Sequence, residues 1–476
     1  MFDIKKIANY LPAVEKPTYK PSLNKKLMWT GLVLVIYYLL SSQFFGHVYG
    51  VMPGAGQQFQ TLQILLGSTF GTLMTLGIGP IVTASIILQL LVGSKILNWD
   101  MSDPEQRENY EAVQKVASIG LCFVEAAAFV LGGAVPAKSP DLFTKTFVII
   151  QLAMGGLIVM FLDEIVSKWG IGSGISLFIA AGVVNTIFIR LFTPFTITGD
   201  LPSPGNLPAG IFWLFVSGLI SFNWNEIFMN LVPMISTVVV FLIVIYVQGI
   251  SVDVPLSFSA LRGFGRTWSL KLLYTSNIPV ILTAALLANF QLFSGMMATP
   301  LPNDPNTKCS ILGCVTQQAG GGSKPISGAI YYLSAPSGFI FELFSGVTLQ
   351  LILRALIYMA FMVGCSIIFS VFWVNTSGMD AESVADQISS IGMQIPGYRS
   401  NPRIIKDVLN RYIPALAFLG GATIGLLATF ADFTDALGTG TGILLLVTII
   451  YSFYEQLKTE RMEGAHPLIR KVMGEE

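Results

Sequence analysis

The sequence predicts an all-α polytopic membrane protein: ten transmembrane helices in two inverted five-helix halves. Three observations carry that prediction. Of 476 residues, 53% are hydrophobic and only 11% are charged, whereas soluble domains carry about 25% charged residues. Ten apolar runs recur along the chain, each near the roughly 20 residues a helix needs to cross a bilayer. With the N-terminus inside, roughly 21 of the 27 Lys and Arg fall in segments that this topology places in the cytoplasm, the bias expected of inserted helices.

The chain begins with a polar stretch, 1–26, read as a cytoplasmic amphipathic N-terminus and not as a cleaved signal. It carries Lys5, Lys6, Lys16, Lys20, Lys25 and Lys26, and MFDIKKIANYLP is patterned to lie on a membrane surface. The first span is expected at 27–46. Residues 57–97 then read as a short amphipathic piece, a glycine-rich break and a full span at 76–97. Backbone that dips into a bilayer and breaks is tolerated only inside protein or beside a water-filled cavity. Spans three to five are expected at 116–133, 146–165 and 174–192, the last two joined by the tight turn SKWGIGSGIS.

A Pro-rich connection, 193–225, divides the spans five and five. The sequence therefore predicts an N-terminal half at 27–192, a hinge and outer loop at 193–231, a C-terminal half at 232–457 and a cytoplasmic tail at 458–476. Spans six to ten are placed at 232–247, 272–293, 353–374, 412–430 and 437–457. The segments 249–271 and 375–411 are read as basic cytoplasmic loops, and the polar stretch between spans seven and eight as a long outer loop. An odd number of spans per half forces the halves into opposite orientations, as in inverted-repeat transporters. No sequence repeat stands out between them, so the inversion rests on topology alone.

The residues exclude most chemistry. Two His (His47, His466) and four Cys (Cys122, Cys309, Cys314, Cys365) show no metal-ligand spacing. Cys122 and Cys365 read as small apolar core residues, and Cys309 with Cys314 in the outer loop leaves a disulfide open. Neither His lies in a span, so no triad-type catalytic constellation, metal site or cofactor site is expected. GIGSGIS has phosphate-loop-like glycines but lacks the GK[ST] ending and follows a span instead of a strand.

Pumps and transporters mark their path with intramembrane charge. Here Glu125 is the one carboxylate well inside a span. Asp163 and Glu164 stand at the inner end of the fourth, and Asp432 and Asp435 at the short outer turn before the tenth. Glu125 is either a proton or ion site or a polar contact between neighbouring helices. With no second carboxylate or basic partner at depth, the contact is favoured. Ile78 with Val82, and Ile175 with Ile179, lie one helical turn apart; pattern alone reads both pairs as packing.

Five motifs in chain order then add a resemblance: TLGIGPIVTASIILQLLVGSKI, FLDEIVSKWGIGSGISLFIAAGV, LLYTSNIPVIL, NRYIPALAFLGG and GTGTGILLLVTIIY. Together they resemble SecY, the channel subunit of the Sec protein translocon, in its archaeal and eukaryotic branch, from the first span to Tyr454. The resemblance implies a clamshell of two halves around an hourglass pore. It implies a plug at about 58–69 (Gln58, Phe59, Thr61, Leu62, Ile64, Leu65, Leu66, Gly67) and an apolar pore ring of Ile78, Val82, Ile175, Ile179, Ile278, Ile281 and Leu445. A lateral gate opens between spans two and three and spans seven and eight, with a polar cluster of Thr83, Glu125 and Asn289. Arg262, Arg266, Lys271 and Arg399 fall where family members meet the ribosome. Ser251, Ser257 and Ala260 depart from relatives with further basic residues in that loop, which weakens the expected ribosome contact there.

The expected function is a passive protein-conducting channel for secretion and lateral insertion, and not an enzyme. Its expected partners are a SecE-type (gamma) subunit, a small SecG/beta-type subunit, a ribosome or other motor, signal sequences, nascent polypeptides and membrane lipid, with no sequence-specific nucleic acid. The expected location is an archaeal cell membrane, or else the endoplasmic reticulum, with both termini cytoplasmic. The rival readings are an inverted-repeat ion-coupled secondary transporter and a non-conducting membrane scaffold.

Overall fold

Long apolar runs leave a chain in lipid no way to satisfy its backbone except within helices, and helices dominate the structure. The computed structural model describes residues 14–19, 21–42, 44–52, 68–93, 96–97, 99, 104–131, 135–196, 202, 208–258, 265–275, 278–297, 299–301, 304–317, 323–336, 338–346, 348–390, 393–394 and 402–464. In the N-terminal part the helices are α1 (Leu23–Ser41), α2 (Gly79–Gly93), α3 (Pro104–Leu131), α4 (Leu142–Trp169) and α5 (Gly174–Phe192). There follow α6 (Ile211–Ile220), α7 (Trp224–Gln248), α8 (Ile278–Met297), and the short α9 (Ala329–Leu333) and α10 (Phe339–Ser345). The chain continues through α11 (Leu349–Thr376), α12 (Ala381–Ser390), α13 (Pro402–Phe433) and α14 (Gly440–Gly464).

Among the described residues eight helices are long and apolar enough to cross a membrane. The shorter α2 and the 20-residue α8 stand at the second and seventh expected spans, so the ten-span expectation is consistent with the helices found. Several helices outrun their apolar cores: α3 starts well before residue 116 and α13 before residue 412. Polar residues continue a helix once the apolar part has nucleated it, because propagation costs little.

Two expected loops contain strands. Residues 249–271 form a β-hairpin, β1 (Ser251–Phe258) with β2 (Gly265–Lys271), in register from Ser251 opposite Lys271 to Ser257 opposite Gly265. Val252, Val254 and Leu256 alternate with Asp253, Pro255 and Ser257, a strand period that a reading for spans overlooks. The outer loop holds β3 (Thr299–Leu301), β4 (Asp304–Ser310), β5 (Gly313–Gln317) and β6 (Ser323–Gly328) in one antiparallel sheet. A two-residue β7 (Met393–Gln394) pairs with the far end of β1. Cys309 faces Cys314 across β4 and β5, and the two form a disulfide. The Pro-rich connection is likewise not irregular throughout, because IFWLFVSGLI within it folds as α6.

By contacts the chain forms two compact units: Met1–Leu88, Asp100–Thr186 and Leu445–Glu476 make the first, and Gln89–Trp99 with Ile187–Leu444 the second. In the first unit α4 is the central post. Val148, Leu152, Ala153, Gly155, Gly156, Val159, Met160, Leu162 and Val166 along it are buried. At its polar end Glu164 accepts from Lys115 at 2.6 Å and from the Val14 amide at 3.0 Å, with Lys168 Nζ 3.5 Å away. Lys168 also donates to the Val14 carbonyl. Lys26 of α1 pairs with Glu460 of α14.

In the second unit α8, α11 and α13 meet along a seam of small and hydroxyl residues. Ser370 donates to the Ala417 carbonyl and lies 3.1 Å from Thr275 Oγ1, while Thr283 Oγ1 lies 3.4 Å from Ser366 Oγ. A Cβ on Gly421 would stand 2.8 Å from the Ser366 carbonyl oxygen, and one on Gly425 2.8 Å from the Val363 Cα. Only glycine lets α13 come this close to α11.

Candidate functional site

The backbone ahead of α2 is the most unusual part of the first unit. Residues 68–78 are not α-helical: a 3₁₀ turn, Leu73–Thr75, is flanked by Gly71 at φ +84° and Gly77 at φ +53°. Phe70, Thr72, Met74, Thr75, Leu76 and Ile78 are all buried. Non-helical backbone at such depth needs internal partners, and it has them. The Leu73 amide donates to the Gly46 carbonyl at 2.7 Å, and the amides of Thr69 and Gly77 both donate to the Met74 carbonyl. Thr72 and Thr75 turn their hydroxyls back onto the carbonyls of Thr69 and Thr72. Gly155 of α4 makes the room, since a Cβ there would meet the Leu73 carbonyl oxygen at 1.8 Å. The expected break in the second span is therefore a built element. The plug positions Gln58, Phe59, Thr61, Leu62, Ile64, Leu65, Leu66 and Gly67 lie outside the described residues.

The first expected ring pair sits where this break becomes helix. Ile78 is 1% exposed, its carbonyl accepts from the Val82 amide at 3.0 Å, and Val82 is half-buried. Ile175 and Ile179 lie one turn apart in the first turns of α5, half-buried and buried respectively. Leu445, in α14, is 2% exposed. In the second unit Ile278 opens α8 and Ile281 is half-buried one turn on; of the Ile278 side chain nothing is described. The described ring side chains are uniformly aliphatic.

Of the polar cluster, the structure joins two members. Thr83 of α2 hydrogen-bonds the carboxyl of half-buried Glu125 on α3. This bond joins α2 to α3. The Asn289 side chain, Arg262 and Arg399 lie outside the described residues. Arg266 pairs with Leu256 in the β1–β2 hairpin, and exposed Lys271 ends β2 opposite Ser251. Among the described residues no group of His, Cys, Asp and Glu could hold a metal ion.

The SecY family model matches residues 72–454. The chain belongs to the SecY family. The protein translocase subunit SecY of Pyrococcus furiosus is 40% identical, with 98% of each chain covered. A solved structure of a protein-conducting channel is 41% identical over 98% of this chain and 99% of its own, with a TM-score of 0.75. Canine Sec61 in a ribosome–channel complex from the endoplasmic reticulum is 40% identical over 98% and 99%, with a TM-score of 0.72. The chain is thus a multi-pass membrane protein with the SecY fold.

Within this SecY-family chain the sequence reading left Asp163 and Asp432 without a role. Each hydrogen-bonds the start of a helix that carries an expected ring residue: Asp163 Oδ1 accepts from the Ile175 amide at 2.9 Å, and Asp432 Oδ1 from the Gly440 amide at 2.7 Å. The signal that could have found them is an aspartate at the end of one span with Gly-x-Gly opening the next.

Proposed function

We propose that this chain is the channel subunit of a protein translocase, conducting polypeptides across the membrane and releasing hydrophobic segments sideways into lipid. The observation that carries the reading is the internally satisfied, non-helical backbone of residues 68–78, which delivers Ile78 and Val82 to the start of α2 in a SecY-family chain. A polypeptide pore must pass many side-chain types while leaking few ions. Fixed charges at its neck would hold some substrates and repel others. A ring of Ile78, Val82, Ile175, Ile179, Ile278, Ile281 and Leu445 would yield to a bulky chain and exclude ions by dewetting when closed. Residues 58–69 would form the plug, and the Thr83–Glu125 contact, joined by Asn289, one polar tie of the lateral gate. Such ties average about 0.6 kcal/mol in membranes, weak enough for a signal segment to displace.

In this reading the two halves, 27–192 and 232–457, hinge at 193–231, and both termini face the cytoplasm. The β1–β2 hairpin and the segment around Arg399 would receive the ribosome, as the relation to the ribosome-associated canine channel supports. SecE-type and SecG/beta-type subunits would complete the complex in an archaeal cell membrane. The channel itself is passive, its energy coming from the translating ribosome or another motor.

The test is site-specific crosslinking of a stalled secretory chain from probes at positions 78 and 281. Adducts at both positions are expected; their absence from both would favour a scaffold. Substrate uptake by liposomes under an ion gradient alone would instead establish the ion-coupled transporter.

A further inference from the structure

Helices α5 and α14 begin alike, although the halves show no extended sequence repeat. Each opens on a Gly-x-Gly: Gly172-Ser173-Gly174 before α5 and Gly438-Thr439-Gly440 before α14. The first glycine has positive φ in both, +72° at Gly172 and +90° at Gly438. The second is the first residue of the helix and lies against the backbone of the preceding helix. A Cβ on Gly174 would stand 2.6 Å from the Asp163 Cα of α4, and one on Gly440 2.1 Å from the Ala428 carbonyl oxygen of α13.

A helix start exposes amides with no partner inside the helix, and a side-chain oxygen normally supplied by the residue just before it satisfies one of them. Here the oxygen comes from the previous helix. Asp163 accepts from the amides of Gly174 and Ile175, eleven and twelve residues on, and also bonds Ser167. Asp432 accepts from the Gly440 amide with one oxygen and from the Tyr358 hydroxyl with the other, both at 2.7 Å. The carboxylates also lie at the positive ends of the helix dipoles they cap. Because Asp163 is carried by α4, a heavily buried post of its unit, the cap sets the height of α5 against a fixed reference. The capped amide at 175 belongs to an expected ring residue, and Ile179 follows one turn later. Leu445 follows Gly440 by little more than a turn.

We infer that Asp163 and Asp432 are positioning residues of the pore ring, remote caps that hold Ile175, Ile179 and Leu445 at a fixed depth. This inference rests on the ring assignment made above. The experiment therefore carries a control for each. The full chain with its partner subunits is reconstituted in planar bilayers after deletion of residues 58–67, leaving the ring as the barrier to ions, and single-channel current is recorded.

Ile175→Ala is expected to raise the current several-fold, and Asp163→Ala to do the same with the ring side chains intact. Asp163→Asn keeps an acceptor oxygen and is expected to stay near the parent current. If Asp163→Ala does not assemble, Asp432→Ala is read in its place, with Leu445→Ala as its reference and Asp432→Asn as its rescue. A parent-like current in the aspartate-to-alanine variant beside a leaking ring variant would overturn the cap. So would an asparagine variant that leaks as much as the alanine. A ring variant that does not leak would remove the ring assignment, and the inference with it.

Discussion

The first unit ties its polar end together with an ionic knot, and the second joins α8, α11 and α13 along a seam of uncharged hydroxyls. At the end of α4, Glu164 gathers Lys115, Lys168 and the Val14 amide, with 15–22% of each charged side chain exposed. Where α8, α11 and α13 meet, the partners are the hydroxyls of Thr283, Ser366 and Ser370 and of Thr275 just before α8, all essentially buried, at glycines that bring the backbones together. The difference follows from the solvent. A charge at bilayer depth costs several kcal/mol unless paired, whereas a hydroxyl can bond a helix carbonyl and leave nothing exposed. At the membrane edge water lowers the cost of charge, and a carboxylate can serve three donors at once. The ionic knot should thus respond to salt, and the hydroxyl seam should be set by shape.

Three measurements break or sharpen this contrast. The largest effect is expected from Gly421→Leu, whose side chain must push α13 away from Ser366 and Ser370. Overpacking of this kind costs about 3 kcal/mol, seen as a lowered melting temperature in detergent that changing ionic strength does not restore. Glu164→Gln comes next. It leaves Lys115 and Lys168 half-buried without their anion, at a cost of about 2 kcal/mol. That loss should shrink as salt is raised, because screening weakens the parent knot; a salt-independent loss would make the knot a matter of packing. The smallest is Ser370→Ala, about 0.6 kcal/mol for a hydrogen bond within a membrane. A loss several times larger would mean that the seam is held by its hydroxyls more than by its glycines.

The fifth span shows how much was legible in advance. Its bounds coincide with α5 because a glycine-rich turn on one side and a Pro-rich segment on the other punctuate an apolar run. The hairpin β1–β2 was read as loop because a search for 20-residue apolar runs passes over an eight-residue strand of alternating character. Ile78 and Val82 were visible as a pair, but one-turn spacing is shared by every packed helix. Only the motifs around them gave them a role, and only the structure showed the buried non-helical backbone that delivers them. Asp163 was visible as a carboxylate at the end of a span. Its target twelve residues on depends on how a four-residue turn folds back, which sequence spacing does not encode. Glu125 was visible as an intramembrane carboxylate without a charged counterpart, and the structure shows the neighbouring hydroxyl it bonds, that of Thr83.

The first unit is not continuous in the chain. Lys26 of α1 meets Glu460 of α14 across 434 residues, and the Phe453 ring lies within 2.3 Å of where a Cβ on Gly172 would stand. Synthesis from the N-terminus therefore produces α1 and the α4–α5 turn long before the helix that closes against them. Until α14 emerges, Lys26 and Gly172 face places their final neighbours have yet to fill, and a chain halted short of residue 440 never fills them. The fold thus makes α14 a condition of the first unit's closure. Helix α14, made late, seals a unit whose first helix is made early.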